Sequence, residues 1–505
     1  MSTSATSLRE AFKQYVHTMK SYEEAVGVLY YDLRTQAPKK AGEGRSDVLG
    51  LLSTELFKMQ ISDTIGDMLN QLSEPEIHKQ LDSIELKLIE ELKKDYERSK
   101  KIPTELYQEY VTLTSKAESV WEDAKEQSDF AMFQPYLEKI VQFNRKFVEL
   151  WGYEGHPYNT LLDMYEPGLN VDTLDRVFGE IRAKAVPLVS AIAESPHQPD
   201  EAFLNRPFDK QKQREFSEYI LKEMGFDFEA GRMDESAHPF ATGLNLGDVR
   251  ITTRFVPNDI TFSLFSSIHE GGHALYEQNI SPDLAGTLLC TGTTMAIHES
   301  QSRYWENKVG RSFAFWKRYF IDLQKLFPET LEGVSVEQFY RAMNVSRPSL
   351  IRIEADELTY NLHIMIRYEL EKALIGGDLA VADLPAAWND KYKEYLGVVP
   401  GNDGEGVLQD VHWAGGSFGY FPSYSLGNMY AAQFMHTMKK EMPDYENIIE
   451  AGELQKLKAW LTDKVYRHGK MKTPSELVMD ITGEELNPKY LTDYLEQKYK
   501  EIYRL

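Results

Sequence analysis

The sequence predicts a mostly helical fold with one small β-sheet, and three observations predict it. Apolar residues recur near 3.6-residue spacing through most of the chain. Period-two alternation is clear in one place only, at Val249, Ile251, Thr253 and Phe255. With 42% hydrophobic and 12% aromatic residues, the 505-residue chain also has enough apolar material for one large core, although its length alone would allow about three domains.

The helices follow in order. Ser7 and Glu10 read as a capping box ahead of Leu8, Phe12, Tyr15, Val16, Met19 and Val26, in a helix that ends before Pro38. Residues 85–100, 104–127, 134–150, 172–193 and 209–224 repeat the pattern, as do 313–326, 354–375 and 486–503. The strand at 249–255 follows a turn at Gly243 to Gly247, which makes Phe240 to Leu244 its hairpin partner. A loop, Ser195-Pro-His-Gln-Pro-Asp200, divides a motif-poor helical part (1–195) from a part that carries the motifs (196–505). No internal repeat or low-complexity segment interrupts them.

Charge and cysteine content narrow the function. Against 56 Lys and Arg stand 79 Asp and Glu, a net charge of −23, which disfavours nucleic acid and anionic membranes as partners. The basic cluster Lys456, Lys458, Lys464, Arg467, Lys470 and Lys472 reads as a solvated helix face and loop. The first 35 residues lack the apolar core of a signal peptide, and no uncharged apolar run approaches the roughly 18 residues of a membrane span. One cysteine, Cys290, permits no intrachain disulfide and no Cys-rich metal site. A cytoplasmic location is expected, and any metal must sit on His, Asp or Glu.

Such a site is written in Ser266-Ser-Ile-His269-Glu270-Gly-Gly-His273. On a helix opening after Asp259, the two imidazoles lie four residues apart on one face and can reach one ion, while Glu270, rotated about 100° from His269, can stand beside a water. Gly271 and Gly272 cost a helix about 1 kcal/mol each relative to Ala, which makes sense where something packs close to the backbone. A catalytic zinc needs a third protein ligand. The places three and six residues after His273 hold Tyr276 and Asn279, which excludes the metzincin arrangement, and Glu277 lies another turn along the axis. A second helix, Met295-Ala-Ile-His298-Glu299-Ser-Gln-Ser302, offers Glu299 or His298, between which spacing does not choose.

These motifs resemble the Taq-type metallocarboxypeptidases. His269-Glu-Gly-Gly-His273 is accompanied, in that family's order, by Asp248-Val-Arg250-Ile-Thr252, His298-Glu299-Ser-Gln-Ser302, Ile351-Arg352-Ile-Glu-Ala-Asp356-Glu357-Leu-Thr-Tyr360 and Gly406-Val-Leu-Gln409-Asp410-Val-His412-Trp413. Tyr31-Asp32, Gly152-Tyr153, His156-Pro157-Tyr158 and His238-Pro239-Phe240 extend the likeness towards both ends. The resemblance implies a single catalytic domain over residues 1–505, helical around a deep cleft and similar to neurolysin and angiotensin-converting enzyme, usually a homodimer. It implies removal of C-terminal residues from peptides with broad specificity and poor tolerance of proline. It also implies His269, His273 and Glu299 as metal ligands, with zinc the default and cobalt an activator in this family.

Further roles follow from chemistry and resemblance together. Glu270 would be the general base. His412 and Tyr420, on a Gly-rich segment, are expected to donate to the oxyanion, with Tyr424 as an alternative to Tyr420. Arg352 would hold the substrate carboxylate, against the plain alternative of an ion pair with Glu354 or Asp356. Asp248, Arg250 and Thr252 are expected on an edge strand that could add the peptide as one more strand, unless Arg250 merely pairs with Asp248. His238 is either a cleft wall or a turn histidine, and His363 belongs to the core.

Three other classes fit less well. Gly415-Gly-Ser417-Phe-Gly419 has the G-x-S-x-G form but no alternating strand and helix pattern before it. A di-iron site would need a second Glu-x-x-His pair on a helix, and the other occurrences contain or adjoin proline. A non-enzymatic acidic scaffold would not need every catalytic residue that is present. Within peptidases, an oligo- or endopeptidase is the alternative, because the His-Glu-x-x-His chemistry is the same at internal and terminal bonds.

Overall fold

The computed structural model describes residues 3–505. Helices dominate, and one contiguous apolar core runs from Phe12 near the start to Tyr503 near the end. The expected fold class is borne out. Periodicity located the helices Ser83–Lys100, Thr104–Gln127, Phe130–Trp151, Val171–Glu194, Lys210–Met224 and Phe313–Leu326 to within a few residues. Several begin where a short polar side chain caps the first turn, as at Asn170, Asp209 and Ser312.

Two boundaries differ. The first helix spans Thr3–Thr35, so Ser7 lies inside it and is not its cap. The helix expected from residue 354 begins at Tyr360, because the Asp356 carboxylate accepts from the Leu358 and Thr359 N–H groups and holds the preceding residues in a turn.

The sheet has three strands, β1 (Gly231–Glu235), β2 (Ala241–Asn245) and β3 (Asp248–Thr253), in the order β1-β3-β2. β2 and β3 form the expected antiparallel hairpin, with Thr242 opposite Arg250, while β1 lies parallel to β3 with Met233 opposite Ile251. β3 is therefore central, which corrects the expectation of an edge strand: neighbours on both sides occupy its backbone groups, so no peptide can be added there. Tyr31 ties the first helix to the sheet by donating to Asp234 Oδ2 at 2.6 Å.

β3 leads into the helix Ile260–Gln278, which packs against both β3 and the helix Met295–Arg303. The latter continues into a π-helical stretch, Tyr304–Gly310, buried throughout, and packs against the largely buried helix Pro422–Glu441. Lys308 of the π-helical stretch and Lys498 of the last helix, Lys489–Tyr503, meet the buried Glu357 carboxylate at 2.6 and 2.7 Å, which ties three distant parts of the chain together. No helix among the described residues is long and apolar enough to cross a membrane.

Candidate metal centre and its surroundings

The helix Ile260–Gln278 opens at Asp259, whose Oδ1 accepts from the Phe262 N–H at 3.1 Å. A turn apart on this helix, the His269 and His273 rings stand with centroids 5.0 Å apart. Glu299 comes to them from the crossing helix, its Oε2 3.5 Å from His269 Nε2 and 3.4 Å from His273 Nε2. Donors around one tetrahedral ion at bond lengths of about 2.0–2.1 Å stand about 3.4 Å from one another. Two imidazoles and a carboxylate at this spacing fit a single divalent metal ion, and no other such trio of His, Cys, Asp or Glu occurs among the described residues.

The crossing is close because glycines permit it. A Cβ on Gly272 would sit 2.7 Å from the backbone of Gln301 and Ser302, and one on Gly427 would sit 2.7 Å from Glu299 Cγ. Of the paired glycines, unfavourable in a helix by themselves, it is Gly272 that sets how near the Glu299 helix approaches the two histidines.

A further layer fixes each donor. His269 Nδ1 lies 2.9 Å from Glu306 Oε2, and Arg303 and Arg311 hold Glu306 in turn. His273 Nδ1 lies 2.7 Å from His298 Nδ1, and His298 Nε2 lies 2.8 Å from Glu277 Oε1. Glu299 Oε1 accepts from Arg303 Nε at 2.6 Å, and its Oε2 accepts from the Ser302 hydroxyl at 3.1 Å. Spacing left Glu299 and His298 as rivals; the carboxylate joins the trio and His298 sits behind His273.

Burial and charge set the proton affinities. Burial pushes the Glu270 carboxyl up to about 7 and the His273 imidazole down to about 4. Burial also opposes charge on His269, but Glu299 and Glu306 outweigh it and raise that ring to about 10. For Glu306, burial is outweighed by Arg303 and His269, which hold it down to about 2.

The Gly-rich segment brings His412, Tyr420 and Tyr424 together: the His412 ring stands 5.6 Å from that of Tyr420, and its Nε2 lies 3.4 Å from Tyr424 Oη. Burial, helped by Arg352 and Arg367, lowers His412 to about 4, so its imidazole is neutral at pH 7. Burial pushes the Tyr420 phenol up to about 12, so it keeps its proton.

Arg352 is buried, and its partner is Asp410, not Glu354 or Asp356. Its Nε and Nη2 donate to Asp410 Oδ1 at 3.0 and 2.8 Å, and its Nη1 donates to Tyr360 Oη at 3.1 Å. Asp356 cannot compete because its Oδ1 accepts from the Leu358 and Thr359 N–H groups and its Oδ2 from the Arg347 N–H and the Thr359 hydroxyl. Arg367 donates to the other oxygen, Asp410 Oδ2, at 2.7 Å. One carboxylate thus neutralises only one of two guanidiniums, leaving a net positive charge beside His412.

Two expected residues stand apart from this cluster. Arg250 is engaged by Asp248 at 2.8 and 2.6 Å and lies over the Tyr31 ring, so the plain alternative holds for it. His238 is exposed between β1 and β2, where its carbonyl accepts from the Ser236 hydroxyl, as befits a turn histidine. His363 is fully buried in the core with Nδ1 3.0 Å from Tyr392 Oη. A surface hollow of about 1070 Å³, lined by Lys94, Arg98, Trp151, Tyr153 and Asp163 among others, shares no residue with the cluster.

Arg303, Glu306 and the Arg352–Asp410 pairing escaped the sequence reading. The first two had a signal, since they lie four and seven residues after Glu299 on the same helical face. Asp410 lies in the Gln409-Asp410-Val-His412 motif, but nothing local links it to Arg352, 58 residues away in the chain.

Known proteins resemble this chain over nearly its whole length. The family model described as carboxypeptidase Taq (M32) metallopeptidase matches residues 11–499. Carboxypeptidase 1 of Bacillus subtilis (strain 168) is 49% identical over 494 residues, covering 98% of each chain. Thermostable carboxypeptidase 1 of Thermus thermophilus is 40% identical over 494 residues, covering 96% of each. The crystal structure of the M32 carboxypeptidase from Deinococcus radiodurans R1 superposes with a TM-score of 0.96 at 36% identity, over 99% of this chain and 100% of that one.

Proposed function

The chain belongs to the carboxypeptidase Taq (M32) metallopeptidase family and is a metallocarboxypeptidase; from that premise we propose that His269, His273 and Glu299 hold zinc and that Glu270 is the general base. The observation that carries this reading is the convergence of His269 Nε2, His273 Nε2 and Glu299 Oε2 next to a buried Glu270. When bound, the metal supplies a Lewis acid that polarises the scissile carbonyl and makes a water nucleophilic near neutral pH.

The chain's own residues do the rest. Burial raises the proton affinity of Glu270 towards neutrality, which suits a carboxylate that takes a proton from the attacking water and returns it to the leaving amine. His412, neutral in its environment, and the protonated Tyr420 phenol donate hydrogen bonds to the developing oxyanion, with Tyr424 beside His412.

Arg352 receives the substrate's C-terminal carboxylate. Three of its five N–H groups are spoken for by Asp410 and Tyr360, and two remain to donate. Specificity is broad, with proline a poor substrate, as the family resemblance implies. Cobalt is able to replace zinc. The chain works as one catalytic unit over residues 1–505, as a cytoplasmic homodimer. His238 and Arg250 stay in the reading only as residues that shape the approach to the site.

Mass spectrometry of a free peptide beside its C-terminally amidated twin tests the reading. Stepwise loss of single residues from the free peptide alone is expected. Internal fragments from both would make the protein an oligo- or endopeptidase.

A further inference from the structure

The two candidate histidine ligands are braced differently. Glu306 touches His269 directly, whereas His273 meets a second imidazole whose far nitrogen meets a carboxylate. We propose that Glu277 and His298 form a two-membered relay that fixes the tautomer and orientation of His273, so that both are positioning residues for the metal. The proposal rests on reading His269, His273 and Glu299 as the metal ligands.

Hydrogen-bond bookkeeping gives the relay one direction. His273 Nε2 faces Glu299, so as a neutral ligand it carries its proton on Nδ1 and donates to His298 Nδ1 at 2.7 Å. With Nδ1 accepting, neutral His298 carries its proton on Nε2 and donates to Glu277 Oε1 at 2.8 Å. Glu277 Oε1 also accepts from the Gly292 N–H at 3.0 Å and the Thr291 hydroxyl at 3.2 Å. Every donor has an acceptor, and reversing any one proton would set two donors or two acceptors face to face.

The surroundings are shaped for this chain of contacts. A Cβ on Gly292 would lie 2.6 Å from His298 Cδ2, and one on Gly243 would lie 2.7 Å from Glu277 Oε2. Tyr276 covers the His298 ring from the side, with centroids 5.0 Å apart. Glu277, too far along its helix to share the ion, is thus one turn beyond His273 at the place that can anchor the second imidazole. Groups that orient a metal-binding histidine through its other ring nitrogen typically contribute about 10–100-fold to metal affinity.

The test is zinc titration of the metal-free protein against a chromophoric chelator, with the fold of each metal-free variant checked by thermal melting. His298→Phe keeps a flat ring but no nitrogens and should weaken zinc binding about 10–100-fold. Glu277→Gln should weaken it less. In the His298→Phe background it should add less than about twofold, because Glu277 acts only through His298.

Nitrogen-15 spectra of the zinc-loaded parent should place protons on His273 Nδ1 and His298 Nε2, and they decide the matter if His298→Phe fails to fold. Zinc affinity unchanged in folded His298→Phe, additive effects of the two substitutions, or an unprotonated His273 Nδ1 would each overturn the relay while leaving the metal site standing. A parent that binds no zinc at stoichiometric level would instead overturn the underlying reading.

Discussion

Gly272 lies against the backbone of Gln301, so close that a Cβ on it would come within 2.7 Å of the Gln301 carbonyl oxygen. This contact brings the helix carrying Glu299 up to the helix carrying His269 and His273. Its neighbour Gly271 faces Leu221, whose flexible side-chain end would be 2.5 Å from a Cβ. Gly272→Ala should therefore destabilise the protein by about 1–3 kcal/mol through a forced backbone shift and weaken metal binding as the helices separate. Gly271→Ala should cost less, since Leu221 can turn aside. Denaturant melts and zinc titration of the two variants check this, and equal effects would mean that backbone contact does not set the crossing.

Glu270→Gln replaces the buried carboxyl with an amide of the same shape that takes no proton. If Glu270 is the base, the variant should bind metal at full stoichiometry yet lose at least about 100-fold in kcat. Substantial residual turnover in a metal-loaded variant would refute the assigned role.

Asp410 is shared by Arg352 and Arg367, so its removal and that of Arg352 should differ in kind. Asp410→Asn leaves two buried guanidiniums with no counter-charge and should cost about 3–5 kcal/mol of stability. Arg352→Lys leaves the Arg367 pair in place. It should chiefly raise KM for free peptides and narrow the preference over amidated ones, because an ammonium cannot offer the planar fork. The comparison is made by melts and by steady-state kinetics on the two peptides, and an unchanged KM in Arg352→Lys would remove Arg352 from carboxylate recognition.

The helices were legible because amphipathic spacing and N-terminal caps are local signals, and the same locality revealed His269 and His273. β3 could be read from its alternation. β1, with the sequence Gly-Arg-Met-Asp-Glu, could not, since its parallel pairing with β3 depends on residues about 18 positions away. The standing of Glu299 against His298 depends on how the second helix is rotated about its axis, which Gly272 and Gly427 fix from two different helices. Arg352 illustrates the same limit: the sequence offered it nearby acids, and the fold supplied Asp410 instead.

Glu166 gives a pH test independent of turnover. Its Oε1 accepts from the Ala296 N–H at 2.8 Å, in the first turn of the Glu299 helix, and from the Ser423 hydroxyl at 3.0 Å. Burial outweighs these bonds and raises the carboxyl from its ordinary value of 4.5 to about 7. Between those two values the unfolded chain has released this proton while the folded chain still holds it, so this group makes the protein less stable as pH rises from about 4.5 to about 7. Glu166→Gln removes that term. Whatever constant offset the amide introduces, the stability of the variant relative to the parent should improve from pH 4.5 to pH 7 by an amount on the order of 3 kcal/mol and then level off. Denaturant melts of both proteins across that range measure it, and a difference that stays flat or falls with pH would show that Glu166 is ionised in the fold.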